Sequence, residues 1–205
     1  MKRLLIGIWT LLPALLSAQT MREMWIEMPD TMVAYLNRSL RTELADYVEM
    51  KVEAETRNLL KETTLLDTLT ADYLRVRLNA AAQLELKLLE KRDGERIVCM
   101  VRTYYGPAAE SSVAFYDMKW ERLPDEFMRP VSPESMMQRP DTMTLERFRE
   151  IESILEPRMV AMSLSPFNQS LVISLSVPLV SRDEEVQVRS VLVQRKLNWD
   201  GETFN

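Results

Sequence analysis

Four apolar segments with a period of two, each ending at a turn signal, constrain the fold of this chain more than any other feature. They are TTLLDTL (63–69), YLRVRL (73–78), QLELKLLEK (83–91) and ERIVCMVRTYY (95–105). Alternation of apolar and polar residues is typical of a β-strand with one buried face, and Asp93-Gly94 is a strong hairpin signal. The segments therefore predict a run of antiparallel strands joined by short turns.

The same alternation predicts which side chains face the core. In QLELKLLEK three leucines share one parity, while two charged residues, Glu85 and Lys87, share the other. We expect the leucines to point inward and the two charged residues to point outward. The next segment is apolar on both parities around Cys99, which predicts a strand covered on both faces. Cys99 is accordingly expected to pack as a small buried hydrophobe and not to act as a reactive thiol.

Helices and further strands complete the predicted fold. Helices are predicted at 29–57, with a break at Asn37–Ser39, and at 145–157. Further strands are predicted at 113–120, 159–165, 170–177 and 185–199, the last with a bulge near Arg189-Ser190. These elements predict an α+β fold with a largely antiparallel sheet of about seven to eight strands and the two main helices on one face. A cone-shaped, nuclear-transport-factor-like fold is the alternative.

The domain organisation follows from the spacing of these elements. Residues 19–205 are predicted to form a single α+β domain with two possible halves, 29–123 and 140–200. A proline-rich segment without clear periodicity, 124–140, is predicted to be the loop that joins them.

A tetrapeptide and an order of predicted elements both occur twice in the chain, once in each half. The tetrapeptide PDTM occurs at 29–32 and again at 140–143, each time before a helix. Each helix leads into strands, and each set of strands ends at a tryptophan, Trp120 or Trp199. The repeated order leaves open a divergent internal duplication.

The N-terminal segment MKRLLIGIWTLLPALLSAQT has the layout of a secretory signal peptide, residues 1–18. Lys2 and Arg3 precede an apolar run that is short for a transmembrane span, and small residues follow it. We expect cleavage between Ala18 and Gln19 and export to the periplasm, with no integral membrane span in the mature protein. An uncleaved N-terminal membrane anchor is the alternative.

The composition excludes several classes of function. Histidine is absent and the chain has a single cysteine, so Ser-His-Asp catalysis, Cys-His catalysis, Cys/His zinc sites and internal disulfides are excluded. The formal charge of −5 argues against nucleic acid as a partner. No glycine-rich nucleotide-binding motif is present, and we therefore expect no cofactor.

Carboxylates are the remaining candidates for chemistry. Asp67 and Asp72 flank a tight turn, and a glycosidase-type hydrolase needs two carboxyls that face one cleft. Asp183, Glu184 and Glu185 form an acidic cluster of the kind that binds calcium. Neither pattern has the spacing of a known site. We therefore prefer structural interpretations, in which Asp72 stabilises its turn and the cluster solvates a hairpin loop.

The segment MVRTYYGPAAESSVAFYDMKW (100–120) holds the best candidate for contact with a partner. Gly106-Pro107 interrupts the strand, so Tyr104 and Tyr105 lie at a strand end and point to opposite faces. We expect one tyrosine to pack and the other to be exposed. The exposed one is predicted to contact a partner, since tyrosine gives a large contact area at low entropic cost.

Several segments together resemble a known family. MPDTMVAYL, LTADYLRVRL, AAQLELKLL and VCMVRTYYGPAAESSVAFYDMKW are similar to an uncharacterised family of exported Bacteroidales proteins, a domain of unknown function. The resemblance is clearest from Trp25 to Trp120. It implies export in a Gram-negative bacterium and supplies no substrate, cofactor or active-site residue.

These observations favour a non-catalytic periplasmic binding or protein-interaction module, whose partner is an envelope protein or a small ligand. A carboxylate-dependent hydrolase and an envelope structural or assembly protein are the alternatives. A cleft with two facing carboxyls would favour the hydrolase, and a large exposed apolar patch would favour the assembly role.

Overall fold

The computed structural model describes residues 19–177 and 181–205, so the predicted signal peptide lies outside the described residues. The helices are α1 (Met21–Glu27), α2 (Arg38–Glu49), α3 (Leu145–Ile154) and α4 (Arg182–Val191). The strands are β1 (Glu55–Arg57), β2 (Thr63–Leu69), β3 (Tyr73–Asn79), β4 (Ala82–Glu90), β5 (Arg96–Tyr104), β6 (Glu110–Tyr116), β7 (Val160–Leu164), β8 (Ser170–Leu175) and β9 (Arg195–Asn198).

The strands form two antiparallel sheets within the described residues. The first sheet is a meander in the order β1-β2-β3-β4-β5-β6, and the second has the order β7-β8-β9. Each neighbouring pair is antiparallel. The α+β class and the largely antiparallel pairing are therefore confirmed. The predicted strands are divided between two sheets because β7 to β9 pack across a face of the first sheet and do not extend its edge.

Two apolar clusters place the first sheet in the middle of three layers. On one face, the even-numbered residues of β3 and β4 pack against α1 and α2. On the other face, residues such as Cys99 and Phe115 pack against the second sheet and against α3 and α4. The two main predicted helices thus lie in different layers, with α2 in the first cluster and α3 in the second. Cys99 is fully buried, which confirms the prediction of a strand covered on both faces.

Helix α1 is an element that the sequence interpretation missed. It begins at a capping box, in which the Thr20 hydroxyl accepts from the Glu23 N–H and the Glu23 carboxylate accepts from the Thr20 N–H at 2.7 Å. Its C-terminal carbonyls are satisfied by the guanidinium of Arg41, which is only 1% exposed. Arg41 donates to the Trp25 carbonyl at 3.0 Å and to the Met28 carbonyl. This cation therefore serves as a cap for α1 supplied by α2.

The predicted helix at 29–57 is divided as expected at Asn37–Ser39. Asp30–Met32 forms a 3₁₀ turn, and the Asn37 side chain caps α2 by accepting from the Leu40 N–H at 3.1 Å. Asn37 is thus the N-cap of α2. Helix α2 ends at Glu49, so the end of the predicted segment instead supplies strand β1.

The predicted strand at 185–199 is wrong over most of its length. Its first half belongs to α4, which begins at a second capping box between Ser181 and Glu184. Val188 and Val191 are buried at a spacing of three, while Val186 is 66% exposed. The predicted bulge at Arg189-Ser190 therefore lies inside a helix, and the strand is confined to β9.

The predicted loop 124–140 contains two 3₁₀ turns, Asp125–Phe127 and Pro133–Met136. Fully buried Met136 docks the loop on the second apolar cluster. The two halves on either side of the loop differ in layout: α2 is followed by six strands, whereas α3 is followed by two strands, a helix and a further strand. The internal duplication stays a prediction.

Candidate functional site: two clefts on opposite faces of the sheet

The first cleft lies where β7 crosses the six-stranded sheet. Two backbone groups join the layers, since the Met162 N–H donates to Ser111 Oγ at 2.9 Å and the Ala109 N–H donates to Ser176 Oγ at 2.7 Å. Between these contacts and β4 the sheets leave a cleft of about 380 Å³. Polar side chains of both sheets and of the segments that adjoin them line it, including Arg75, Gln83, Glu85, Tyr105, Ser163 and Gln194. We call this the Glu85 cleft.

Glu85 forms the floor of this cleft and is only 1% exposed. Its Oε1 accepts from the Tyr73 hydroxyl at 3.2 Å, from the Ser163 hydroxyl at 3.1 Å and from Gln83 Nε2 at 3.4 Å. Its Oε2 accepts from the Leu164 N–H at 2.8 Å. The expectation that Glu85 points outward to solvent is therefore wrong, because strand β7 covers that face and supplies two of the four donors.

Burial and hydrogen bonding act on Glu85 in opposite directions. Burial is the larger effect and raises the pKa of the carboxyl above its ordinary value, while the donors from Leu164, Ser163 and Tyr73 oppose the rise. Burial, followed by the Glu85 charge, raises the pKa of Tyr73, so its hydroxyl stays a donor. The carboxyl of Glu85 is thus held in a fixed position at the floor of the cleft.

Lys87 is the second charged residue of β4 that the structure buries. It is 1% exposed; its Nζ lies 2.8 Å from Asp72 Oδ2 and 5.7 Å from the centroid of the Tyr73 ring. Its predicted outward orientation is wrong for the same reason as that of Glu85, since the second sheet covers this face. Asp72 also accepts from the Thr70 hydroxyl at 3.2 Å, as expected of a residue that stabilises its turn.

The two carboxylates considered as an alternative hydrolase pair, Asp67 and Asp72, are each held by a cation. Asp67 accepts from Arg77 at 3.1 and 3.2 Å, and Asp72 pairs with Lys87. Neither aspartate lines the Glu85 cleft. The structure therefore does not bring Asp67 and Asp72 together in that cleft.

The acidic cluster at 183–185 lies in the first turn of α4, so the prediction of a hairpin loop there is wrong. Glu184 accepts from the Ser181 hydroxyl and N–H, and these hydrogen bonds lower its pKa. Glu185 pairs with Arg189 at 2.8 Å. Acidic residues at this position interact favourably with the helix dipole. In the described ranges no group of three potential ligand residues is placed to hold a metal ion.

Tyr104 and Tyr105 are both exposed, at 53% and 46%, so the prediction that one of them packs is wrong. Strand β5 ends at Tyr104, and the chain leaves the sheet at Gly106 before either ring is covered by another layer. The two rings do face opposite sides, as predicted. Tyr105 lines the Glu85 cleft, whereas Tyr104 lines a second cleft on the helix-covered side.

The second cleft has a volume of about 420 Å³ and lies beside the 3₁₀ turn Asp30–Met32. Arg102, Tyr104, Tyr116 and Arg122 are among its lining residues, and we call it the Arg102 cleft. Sequence reasoning missed it. The available signal was the shared parity of Arg102 and Tyr104 on β5, but Arg122 comes from a segment after β6 that carries no strand pattern.

No helix in the part of the chain that the structure describes has the length and apolar character needed to cross a bilayer.

Comparisons with known proteins place the chain in a family. No curated protein matches it. A domain of an uncharacterized protein from Porphyromonas gingivalis W83 has a similar fold, with a TM-score of 0.74 and 20% identity over 92% of this chain and 99% of that chain. At that identity the similarity shows the fold alone. The model of the family described as "Protein of unknown function (DUF3256)" matches residues 14–204, which confirms the resemblance to an uncharacterised family, and the chain belongs to that family.

Proposed function

We propose that the protein is a non-catalytic binding module of the periplasm that holds a small, uncharged polar ligand in the Glu85 cleft. The observation that carries the proposal is the convergence of side chains from both sheets on one cleft beneath the exposed ring of Tyr105. Concave sites with a few convergent polar groups are the usual form of small-molecule sites.

The charge balance of the cleft supports an uncharged ligand. Arg75 and Glu85 supply one charge of each sign, and the other polar lining groups are amides and hydroxyls. Such groups match the donors and acceptors of a sugar or a peptide bond. The half-exposed ring of Tyr105 adds a flat apolar surface on which such a ligand can stack.

The number of carboxylates in the cleft supports binding over hydrolysis. A glycosidase-type mechanism needs two carboxyls flanking the bond that is cleaved. Of the residues that line this cleft, Glu85 is the one carboxylate, and its oxygens accept from four protein donors. This arrangement suits a fixed acceptor better than a group that must exchange protons with a substrate.

Export to the periplasm is the second part of the proposal. It is supported by the sequence layout of residues 1–18, with a positive start, a short apolar run and small residues before Gln19. N-terminal sequencing of the protein from its native host should return Gln19 as the first residue, in the periplasmic fraction. An intact Met1 would contradict this part of the proposal.

Binding is tested by nuclear magnetic resonance on the mature chain, residues 19–205. The probes are maltose, chitobiose and the capped dipeptide N-acetyl-alanyl-alanine amide. At least one is expected to shift the backbone amide signals of Gln83 and Ser163, and Tyr105→Ala should abolish the shift. The matched control is Tyr104→Ala, which should leave it intact because that ring lies on the opposite face.

A further inference from the structure

We propose that the Arg102 cleft binds a small organic anion, in which a carboxylate or phosphate group is carried on a flat apolar body. This cleft lies on the helix-covered side of the six-stranded sheet. It is separate from the Glu85 cleft, and the inference does not rest on the function proposed there.

The charged side chains that line this cleft are all positive. Two guanidinium groups, Arg102 and Arg122, line the cleft, and no carboxylate is among its lining residues. Glu110, which is the register partner of Tyr104, does not line it. The chain as a whole carries a formal charge of −5, so the local charge of this cleft is opposite in sign to the net charge of the protein. An anion is the ligand that such a cleft favours.

Arg102 has donors available for hydrogen bonds to a bound anion. Its guanidinium is half-buried, and its Nη2 donates to the Met32 carbonyl at 2.8 Å. Among residues 19–177 and 181–205 no carboxylate forms an ion pair with it. A guanidinium has five N–H donors in a planar fork, so most of them face the cleft or solvent without an acidic partner. A fork of this kind matches the two oxygens of a carboxylate or a phosphate.

Arg122 is held in position by two neighbouring side chains. Its guanidinium lies 5.6 Å from the centroid of the Tyr116 ring and 2.5 Å from the Asp125 carboxylate. The side chain of Asp125 is 75% exposed, so solvent screens its negative charge. Arg122 is thus oriented by its neighbours but keeps an attraction for a second anion.

The apolar body of the ligand is inferred from the remaining surface of the cleft. Met100 and Ala114 provide an apolar floor, and the rings of Tyr104 and Tyr116 lie beside them. Tyr104 is 53% exposed, so a bound ring can cover it. The volume of about 420 Å³ falls within the range of small-molecule sites.

The test uses three probes that share a phenyl ring: phenylacetate, phenyl phosphate and the uncharged phenylacetamide. Each is titrated into the mature chain, residues 19–205, at low ionic strength, with the amide signals of Ser112 and Ala114 as the readout. At least one anion is expected to bind with a Kd in the range of about 1 to 10 mM. Phenylacetamide should bind at least tenfold more weakly. The stronger of the two anions identifies the ligand as a carboxylate or a phosphate.

Single substitutions distinguish binding of the anion in the Arg102 cleft from its attraction to the charge of the protein as a whole. Arg102→Gln and Arg122→Gln should each weaken binding of the anion about tenfold, as expected for a hydrogen bond to a charged group. Arg92→Gln is the matched control, because it removes the same charge from an exposed side chain that pairs with Glu202 at 2.9 Å. It should leave the Kd unchanged. If Arg102→Gln fails to fold, exposed Arg122 still provides the test.

Three results would overturn the proposal. One is equal binding of phenylacetamide and the anions, which would show a purely apolar site. Another is an equal loss of affinity in Arg92→Gln, which would show attraction to the protein as a whole. The third is the absence of any shift at Ser112 and Ala114 at about 50 mM of either anion, well above the expected Kd.

Discussion

The two faces of the six-stranded sheet are both covered, but they are covered by different chemistry. On the helix side, the residues of β4 that face α1 and α2 are the leucines at 84, 86 and 88. On the other side, β4 places Glu85 and Lys87 against the second sheet, and both are 1% exposed. Glu85 receives a donor from β7 of the second sheet, and Lys87 pairs with Asp72 in the turn before β3. Alternation of apolar and polar residues in a strand therefore does not reveal whether its polar face is solvated or enclosed.

The largest expected effect is the loss of stability when Glu85 is removed. Glu85→Ala would leave the Leu164 N–H and the hydroxyls of Ser163 and Tyr73 without their acceptor, at a cost of about 3–5 kcal/mol in the free energy of unfolding. Leu86→Ala, on the opposite face, should cost a similar amount, about 2–5 kcal/mol, through a cavity. Urea denaturation measures both.

Glu90→Ala is the control on the same strand, because Glu90 is exposed, and it should change stability by no more than about 0.5 kcal/mol. A Glu85→Ala variant as stable as this control would show that the carboxylate is dispensable to the packing of β7 on the sheet.

The pH dependence of stability is a second test of the difference between the charged face and the apolar face of β4. Burial raises the pKa of Glu85 above its ordinary value of 4.5, so the fold favours the protonated form more than the unfolded chain does. The contribution of Glu85 is therefore fully present below about pH 4.5 and is lost as the pH rises through the raised pKa. The stability of the wild type relative to Glu85→Gln should fall over that window in urea titrations at several pH values. A relative stability that increases with pH would mean that the four donors outweigh burial.

Replacing Lys87 is expected to change the free energy of unfolding less than replacing Glu85, although the two residues are equally buried. In Lys87→Met an apolar side chain of similar length takes its place, and Asp72, whose side chain is 47% exposed, can be solvated by water. The free energy of unfolding should change by no more than about 1 kcal/mol in either direction, since buried ion pairs often break even with apolar replacements. A loss as large as that of Glu85→Ala would show that the Lys87 charge is needed for the fold.

Cys99 lies on β5, on the same face of the six-stranded sheet as these two charges. It is the register partner of Lys87 on β4, and burial raises the pKa of its thiol. A polar thiol reagent should therefore modify it slowly in the folded protein and rapidly in urea. Cys99→Ala should cost about 1 kcal/mol, as for a small cavity. Rapid labelling without denaturant would show that the layer over this strand opens readily.

Sequence reasoning recovered the elements whose signals are local. The period-two segments became β2 to β5, and Gly94, with a φ of 82°, occupies the turn that Asp93-Gly94 predicted. It failed for α4 because valines at 186 and 188 resemble strand alternation. The capping box of Ser181 and Glu184 was the competing signal.

The candidate site was less predictable than the fold. The position of Tyr105 at a strand end was foreseen, but the burial of Glu85 depends on β7, which lies more than seventy residues further along the chain. Arg102 and Arg122 line the same cleft because the segment after β6 returns to the sheet through the bridge between Tyr116 and Arg122. Contacts of this kind are set by the packing of layers, which no local pattern records.

The most direct test of the two separate clefts measures the binding of both kinds of probe, neutral and anionic, to both tyrosine variants. Both rings are exposed, so Tyr104→Ala and Tyr105→Ala should each change the free energy of unfolding by no more than about 0.5 kcal/mol. In titrations of each variant, Tyr105→Ala should lose the shifts caused by the neutral sugar or capped dipeptide at Gln83 and Ser163 while keeping those caused by the phenyl anion at Ser112 and Ala114. Tyr104→Ala should lose the shifts caused by the phenyl anion at Ser112 and Ala114 and keep those caused by the neutral probe at Gln83 and Ser163. Shifts that are lost together, or that are unaffected by either substitution, would contradict the claim that the two faces carry separate binding sites.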